Sequence, residues 1–249
     1  MKRCNAMIKV GCLFVLCMGK LCGDVGSEFV QAGRGANELT TSEYLSLVAP
    51  FLPSNPHILE AGAHGGEDTV LLARAWPNGH VFAFEPVKSF FQMILNNLKA
   101  KKISNVSAFP IGLFSTSGNR TFYYSQSCGG ASSFLPAGEV PDVHYNDKEM
   151  TLPCQNLDEW AAEHGVDHID FMWLDMEGTE HYVLSSAPKI LKTTKVILTE
   201  LNFRSFRVGH TLYDTLKPFL ESEGFTLHRI WGSAAWQGTG MFVRTELLN

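Results

Sequence analysis

The residues from His57 to Thr69 read His-Ile-Leu-Glu-Ala-Gly-Ala-His-Gly-Gly-Glu-Asp-Thr, an apolar run that passes into a glycine-rich turn and then a helix start. That order commits the chain to a strand–turn–helix unit, and such a unit needs a parallel sheet to belong to. Gly62 can take a conformation closed to residues with a Cβ, and Gly65 and Gly66 leave room for a ligand to approach the backbone. Free N–H groups at the helix start would then face an anionic group. The turn is expected to be a site as well as a connection.

The rest of the chain repeats the alternation. A helix is expected from Ser42 to about Leu52, capped by Thr41 and stopped by Pro53 and Pro56. Strand His57 to Ala61 feeds helix Glu67 to Trp76, strand His80 to Glu85 feeds helix Val87 to Lys101, and strand Val106 to Pro110 follows. Residues 112 to 155 break the pattern, with a short β-rich piece at Arg120 to Ser125, and read as a rim over the site or a variable surface loop. Helix Leu157 to His164, strand Ile169 to Leu174, helix Thr179 to Leu191, strand Val196 to Leu201 and helix Leu212 to Glu223 resume it. Phe225 to Trp231 and Met241 to Arg244 read as a closing antiparallel pair. The fold class is α/β, doubly wound, with a sheet covered on both faces.

Spacing selects the cofactor. A dinucleotide fingerprint places a second glycine two residues after the first, and here that position is His64. Glu85, at the end of the second strand, stands where an acid would hold a ribose diol and repel a 2′-phosphate. Together these point to S-adenosylmethionine, with Glu60, Gly62, Ala63, Gly65 and Glu85 around the nucleoside and Asp68 and Thr69 either touching it or capping the helix. His64 reads as a packing histidine or as one facing the methionine end. A nicotinamide-dependent oxidoreductase shares the glycine turn and the ribose acid, but no Tyr-x-x-x-Lys relay is apparent.

Asp175 and Glu177 follow Phe171-Met172-Trp173-Leu174, a run too apolar to be anything but a central strand. Residues at the C-terminal edge of such a strand face the crevice where open α/β sheets bind ligands. A carboxylate there can orient an acceptor oxygen and take its proton, the two tasks methyl transfer leaves to the protein. The bland alternative is that Glu177 caps the next helix and Asp175 satisfies loop amides. A hard cation wants three or more oxygen ligands, for which Asp175, Glu177, Glu200 and Asn202 are the neighbours in reach; no metal is expected.

The chain resembles the FkbM family of methyltransferases through Glu60-Ala61-Gly62-Ala63-His64-Gly65-Gly66, Phe84-Glu85-Pro86, Asn156-Leu157-Asp158 and Leu174-Asp175-Met176-Glu177-Gly178-Thr179-Glu180, in the family's order. Family members open the first motif with Asp and place Lys-Ile before D-x-E-G, where this chain has Glu60 and Trp173-Leu174. The resemblance implies a Rossmann-like, mostly parallel seven-stranded sheet with its last strand reversed. It also implies catalysis by Asp175 and Glu177 and a cofactor contact from Asp175, with O-methylation of a small-molecule, sugar or glycan- or lipid-linked acceptor. A cofactor-binding or surface-attached module without catalysis is the other reading left open.

At 249 residues, with 45% hydrophobic content, the chain can bury one α/β domain, and the expected division is 1–25, 26–56 and a methyltransferase domain over 57–249. A net charge of -5 with no Lys/Arg run argues against a nucleic-acid partner. Basic residues before the apolar run Val10 to Gly19 resemble a signal peptide, but the run is too short to span a bilayer and Leu21-Cys22-Gly23-Asp24 makes a poor cleavage site. A cytoplasmic protein, with peripheral membrane association through this segment, is the expectation, and export the alternative. The six cysteines form no C-x-x-C pair, and Cys128 and Cys154 read as reduced thiols.

Overall fold

A computed structural model describes residues 39–139, 146–233 and 235–249. The apolar segment 1–25, and the lead as far as residue 38, lie outside the described residues. Among the described residues there are ten strands: β1 His57–Ala61, β2 His80–Phe84, β3 Val106–Phe109, β4 Gly112–Leu113, β5 Gly118–Ser125, β6 Asp147–Gln155, β7 Phe171–Leu174, β8 Val196–Asn202, β9 Phe225–Gly232 and β10 Gln237–Arg244. Seven of them form one sheet in the order β3-β2-β1-β7-β8-β10-β9. β1 pairs in parallel with β2 and β7, β2 with β3, and β7 with β8. β10, the reversed last strand, slots between β8 and β9 and is antiparallel to both. The order turns back between β1 and β7, which opens a crevice at their carboxyl ends.

Alternating side chains of the strands feed two core layers. Leu59, Phe84, Met172, Leu174 and Ile197 pack with Trp160 and Leu184 on one face, while Ile58, Phe171, Leu198 and Met241 pack with Tyr44, Val48 and Leu72 on the other. The helices over these faces are α1 Thr41–Val48, α2 Glu67–Ala75, α3 Lys88–Lys101, α4 Leu157–His164, α5 Glu180–Ser185, α6 Pro188–Thr193 and α7 Tyr213–Ser222. Among the described residues no helix is long and apolar enough to cross a membrane.

Three elements differ from the sequence expectation. The first helix is capped by Thr40 in a capping box with Glu43, and it gives way to a 3₁₀ turn at Ala49–Phe51 because Pro50 lacks the N–H a continuing helix would use. The expected helix Thr179 to Leu191 is two, since Pro188 has to sit in the first turn of a new helix. Asp158 then accepts the backbone N–H groups of Lys189 and Ile190 at 3.0 and 2.9 Å, capping α6, while Asn156 caps α4. The 112–155 stretch is not a plain loop. β5 and β6 pair over eight residues each and, with β4, make a second sheet. Its strand Asp147–Gln155 is too charged and exposed to announce itself as apolar alternation.

Helix α1 is integral to the core. Tyr44 is 5% exposed and meets Trp173 and Trp231 edge-on, with ring centroids 6.0 and 5.1 Å away. Tyr44→Ala is expected to cost about 3 kcal/mol or more of unfolding free energy in urea, the scale for emptying a buried aromatic site. A loss under about 1 kcal/mol would show that α1 packs as a detachable cover.

Candidate active site

The cleft at the sheet switch point starts from a backbone contact. Gly62 has φ +86°, and a Cβ there would overlap the Asp175 carbonyl oxygen. The N–H groups of Gly62 and Ala63 both reach the Phe84 carbonyl, at 3.1 and 3.0 Å, and Asp175 N–H reaches the Ala61 carbonyl at 3.0 Å. The ends of β1, β2 and β7 are therefore drawn together, and only glycine fits where they meet. The cleft is open at its mouth, with about 630 Å³ of empty space when the solvent there is counted. Gly62, His64, Phe84, Glu85, Leu113 and Asp175 are among its lining residues.

Glu85 is 5% exposed, and each of its oxygens accepts a backbone N–H, from His64 at 2.9 Å and from Val87 at 2.8 Å. Two lone pairs are spent on the backbone, and a carboxylate has about four, so the side chain is fixed without being saturated. Burial pushes its carboxyl up to about 7, against the two backbone donors that favour the charge. His64 occupies the second-glycine position with φ +47° and rests on Phe90, ring centroids 3.9 Å apart. Burial lowers its pKa, so it is neutral at pH 7.

Glu60, Ala63, Gly65, Asp68 and Thr69, expected around the cofactor, are not on the cleft wall. Glu60 and Thr69 are buried behind the turn, side by side, where burial raises the Glu60 carboxyl well above its ordinary range. Asp68 accepts the Thr41 hydroxyl at 2.6 Å and so ties α2 to α1. Gly65 lies under the Glu67 side chain and accepts Asn97 Nδ2 at 2.7 Å through its carbonyl. The Glu60, Asp68 and Thr69 side chains thus bear on the support of the turn, and the sequence shows that a residue is near the turn without showing which way it points.

The loop after β7 is strained and acidic. Glu177 has φ +53° and Gly178 φ +94°, and a Cβ on Gly178 would overlap the His210 imidazole. The following helix has no side-chain cap, and the loop N–H groups of Met176 and Gly178 are accepted by Glu180 Oε1 at 3.0 and 3.4 Å. Glu177 is left with its carboxylate beside those of Asp175 and Glu200, one oxygen from each within 4.8 Å of the others. Burial, then Glu200 and Asp175, raises the Glu177 carboxyl well above its usual range, opposed by the Arg207 charge. Glu200 accepts Asn202 Nδ2 at 3.2 Å and Gln237 Nε2 at 3.1 Å. These three acids are one of two groups among the described residues that could hold a cation, the other being His57, Asp167 and His168. Sequence reasoning missed Gln237, which reaches the cluster only through the pairing of β10 with β8. Trp231 and Tyr213 are core, 7% and 4% exposed.

Residues 60–227 match the family model described as the methyltransferase FkbM domain. The chain is 25% identical over 164 residues to the 2-O-methyltransferase NoeI of Sinorhizobium fredii, covering 62% of this chain and 67% of that protein. It is 28% identical over 157 residues to methyltransferase sdnD of Sordaria araneosa, covering 53% of this chain and 61% of that one. In fold it is similar to the N-terminal domain of EvdMO1 solved in the presence of SAH and D-fucose, with a TM-score of 0.51, 12% identity, and 85% of this chain and 84% of that chain covered.

The buried carboxyls give the protein a pH signature. Glu180 is 1% exposed and burial raises it to about 7 from 4.5, so between those values the folded chain holds a proton that the unfolded chain releases. Its contribution to stability is intact below the unfolded value and is lost as pH rises through 7. Unfolding free energy is expected to fall by about 3 kcal/mol between pH 4.5 and 7.5 on account of this residue, and Glu180→Gln to remove that part of the slope. A stability that stays level or rises over the same interval would contradict the assignment.

Proposed function

Because the chain belongs to the FkbM methyltransferase family, whose cofactor is S-adenosylmethionine, we propose that it moves the methyl group to a hydroxyl oxygen of a small uncharged acceptor, a sugar or a sugar- or lipid-linked alcohol. The observation that carries this reading is the meeting of Asp175, Glu177 and Glu200 beside the cleft at the sheet switch point. The family's cofactor sets aside the nicotinamide alternative.

The cleft suits the cofactor on its own terms. Glu85, held by two backbone donors, keeps acceptor capacity for a ribose diol. Phe84, Leu113 and Phe134 give the apolar walls a base needs, and Gly62 offers bare backbone where a side chain would fill the turn. When bound, the cofactor supplies a methyl group on a sulfonium that leaves as a neutral thioether. The protein's part is to aim an acceptor oxygen along the axis of displacement and to accept its proton as the C–O bond forms and the C–S bond breaks. Asp175 borders the cleft and stands for that proton, while Glu177 and Glu200 orient the acceptor's hydroxyls.

The same cluster sets the charge of the acceptor. A negative group about 4 Å from one such carboxylate costs about 4 kcal/mol at an effective dielectric of ~20, so phosphorylated or carboxylated acceptors are disfavoured.

A panel of neutral glycosides and their phosphorylated counterparts, assayed with methyl-labelled cofactor, is expected to show transfer to the neutral members at about 100-fold or more higher kcat/KM. With an acceptor in hand, Asp175→Asn should lower turnover by about 100-fold while leaving cofactor affinity nearly intact. Wild-type turnover should persist in chelator. Near-normal turnover in Asp175→Asn would remove the base assignment, and loss of activity in chelator would give the three acids to a cation instead.

A further inference from the structure

Arg207 lies on the loop between β8 and α7, outside every motif that marks the family, and its side chain is 1% exposed. A guanidinium is taken out of water only where its donors are met, and here its two Nη atoms are met by the 131–135 segment and by Asp147 of β6. Nη1 donates to the Leu135 carbonyl at 2.7 Å and to Asp147 Oδ2 at 3.0 Å, and Nη2 donates to the Ala131 carbonyl. The backbone around it follows the same partner. Gly138 N–H reaches the Phe206 carbonyl and Val208 N–H the Pro136 carbonyl, both at 2.9 Å, with Ala137 bridged to Arg207.

That segment is one wall of the cofactor cleft. Gly129, Gly130, Ser132, Ser133 and Phe134 line it. It has little regular structure to hold it: a 3₁₀ turn at Gly129–Ala131 and one bridge from Ser133 to Tyr123. On its inner side Ser133 Oγ donates to the Glu177 carbonyl at 2.9 Å. The wall is therefore held to β5 through Ser132 and Ser133, to the acidic loop through the Ser133 hydroxyl, and from behind by Arg207.

We infer that Arg207 is the positioning residue of the cofactor cleft, fixing the 129–136 wall against the acidic loop so that cofactor binding depends on a side chain that does not touch the cofactor. The planar fork matters as much as the charge. Two carbonyls and a carboxylate are reached from one rigid group, whereas a lysine ammonium is a single point on a flexible stem. The inference rests on the cleft being the cofactor site, and its test keeps the two apart.

The test is calorimetric titration with S-adenosylhomocysteine, which needs no acceptor, on wild type, Arg207→Lys and Asp147→Asn. Wild-type binding establishes the site first; if wild type does not bind, the functional reading fails before the positioning claim is reached. Arg207→Lys is expected to weaken the affinity of the folded fraction about tenfold or more, and Asp147→Asn, which leaves both carbonyl bonds in place, about two- to fivefold. Amide exchange over residues 129–136 should quicken in both, with α7 unchanged. A purely structural role would lower the binding stoichiometry and the melting temperature but leave the dissociation constant of the folded molecules as it was. An unchanged dissociation constant in folded Arg207→Lys would overturn the proposal. If that variant does not fold, an unchanged constant and unchanged exchange in Asp147→Asn would do so.

Discussion

The site depends on one close approach, that of the Gly62 backbone to the Asp175 carbonyl oxygen. β1 ends in the turn that borders the cleft, and β7 ends in the loop that carries the acids. Any side chain at residue 62 would force these two strand ends apart. The hydrogen bonds from Gly62 and Ala63 to Phe84, and from Asp175 to Ala61, bind the same three strand ends from the other direction. Cleft and acid loop are thus set in one frame by backbone geometry, before any side chain is chosen.

Around that frame the protein buries acids at a cost. Glu60, Glu85, Glu177 and Glu180 are all under 7% exposed, and burial raises each of their carboxyls. Buried carboxyls of this kind weaken a fold as pH rises toward neutrality, so they mark a region arranged for binding rather than for stability. Hydrogen bonds from backbone N–H groups hold Glu85 and Glu180 in fixed poses, which preserves geometry where charge is disfavoured. The strained backbone at Glu177 belongs to the same pattern.

Much of this was legible in the chain. The order of strands and helices follows from apolar runs and glycine turns, and the placement of Gly62, Glu85 and Asp175 on the cleft follows from their positions at strand ends. What the sequence hid is direction and distance. Asp68 and Thr69 lie within a turn of the glycine loop, yet one faces α1 and the other the interior. Pro50 and Pro188 cut helices that periodicity alone would continue. β6 escaped because a charged, exposed strand carries no apolar signature. Gln237 and Arg207 reach the site across 37 and 76 residues of chain, through sheet pairing and loop packing that no local pattern records.

The central claim is that the cleft at the β1–β7 switch point seats an adenosyl cofactor with its reactive end turned to the acids. A crystal structure with bound S-adenosylhomocysteine tests it most directly. The account predicts the ribose hydroxyls on the Glu85 carboxylate, the base between Phe84, Leu113 and Phe134, and the sulfur on the Asp175 side of the cleft. A ligand seated away from Glu85, or with its sulfur turned from Asp175, would contradict it.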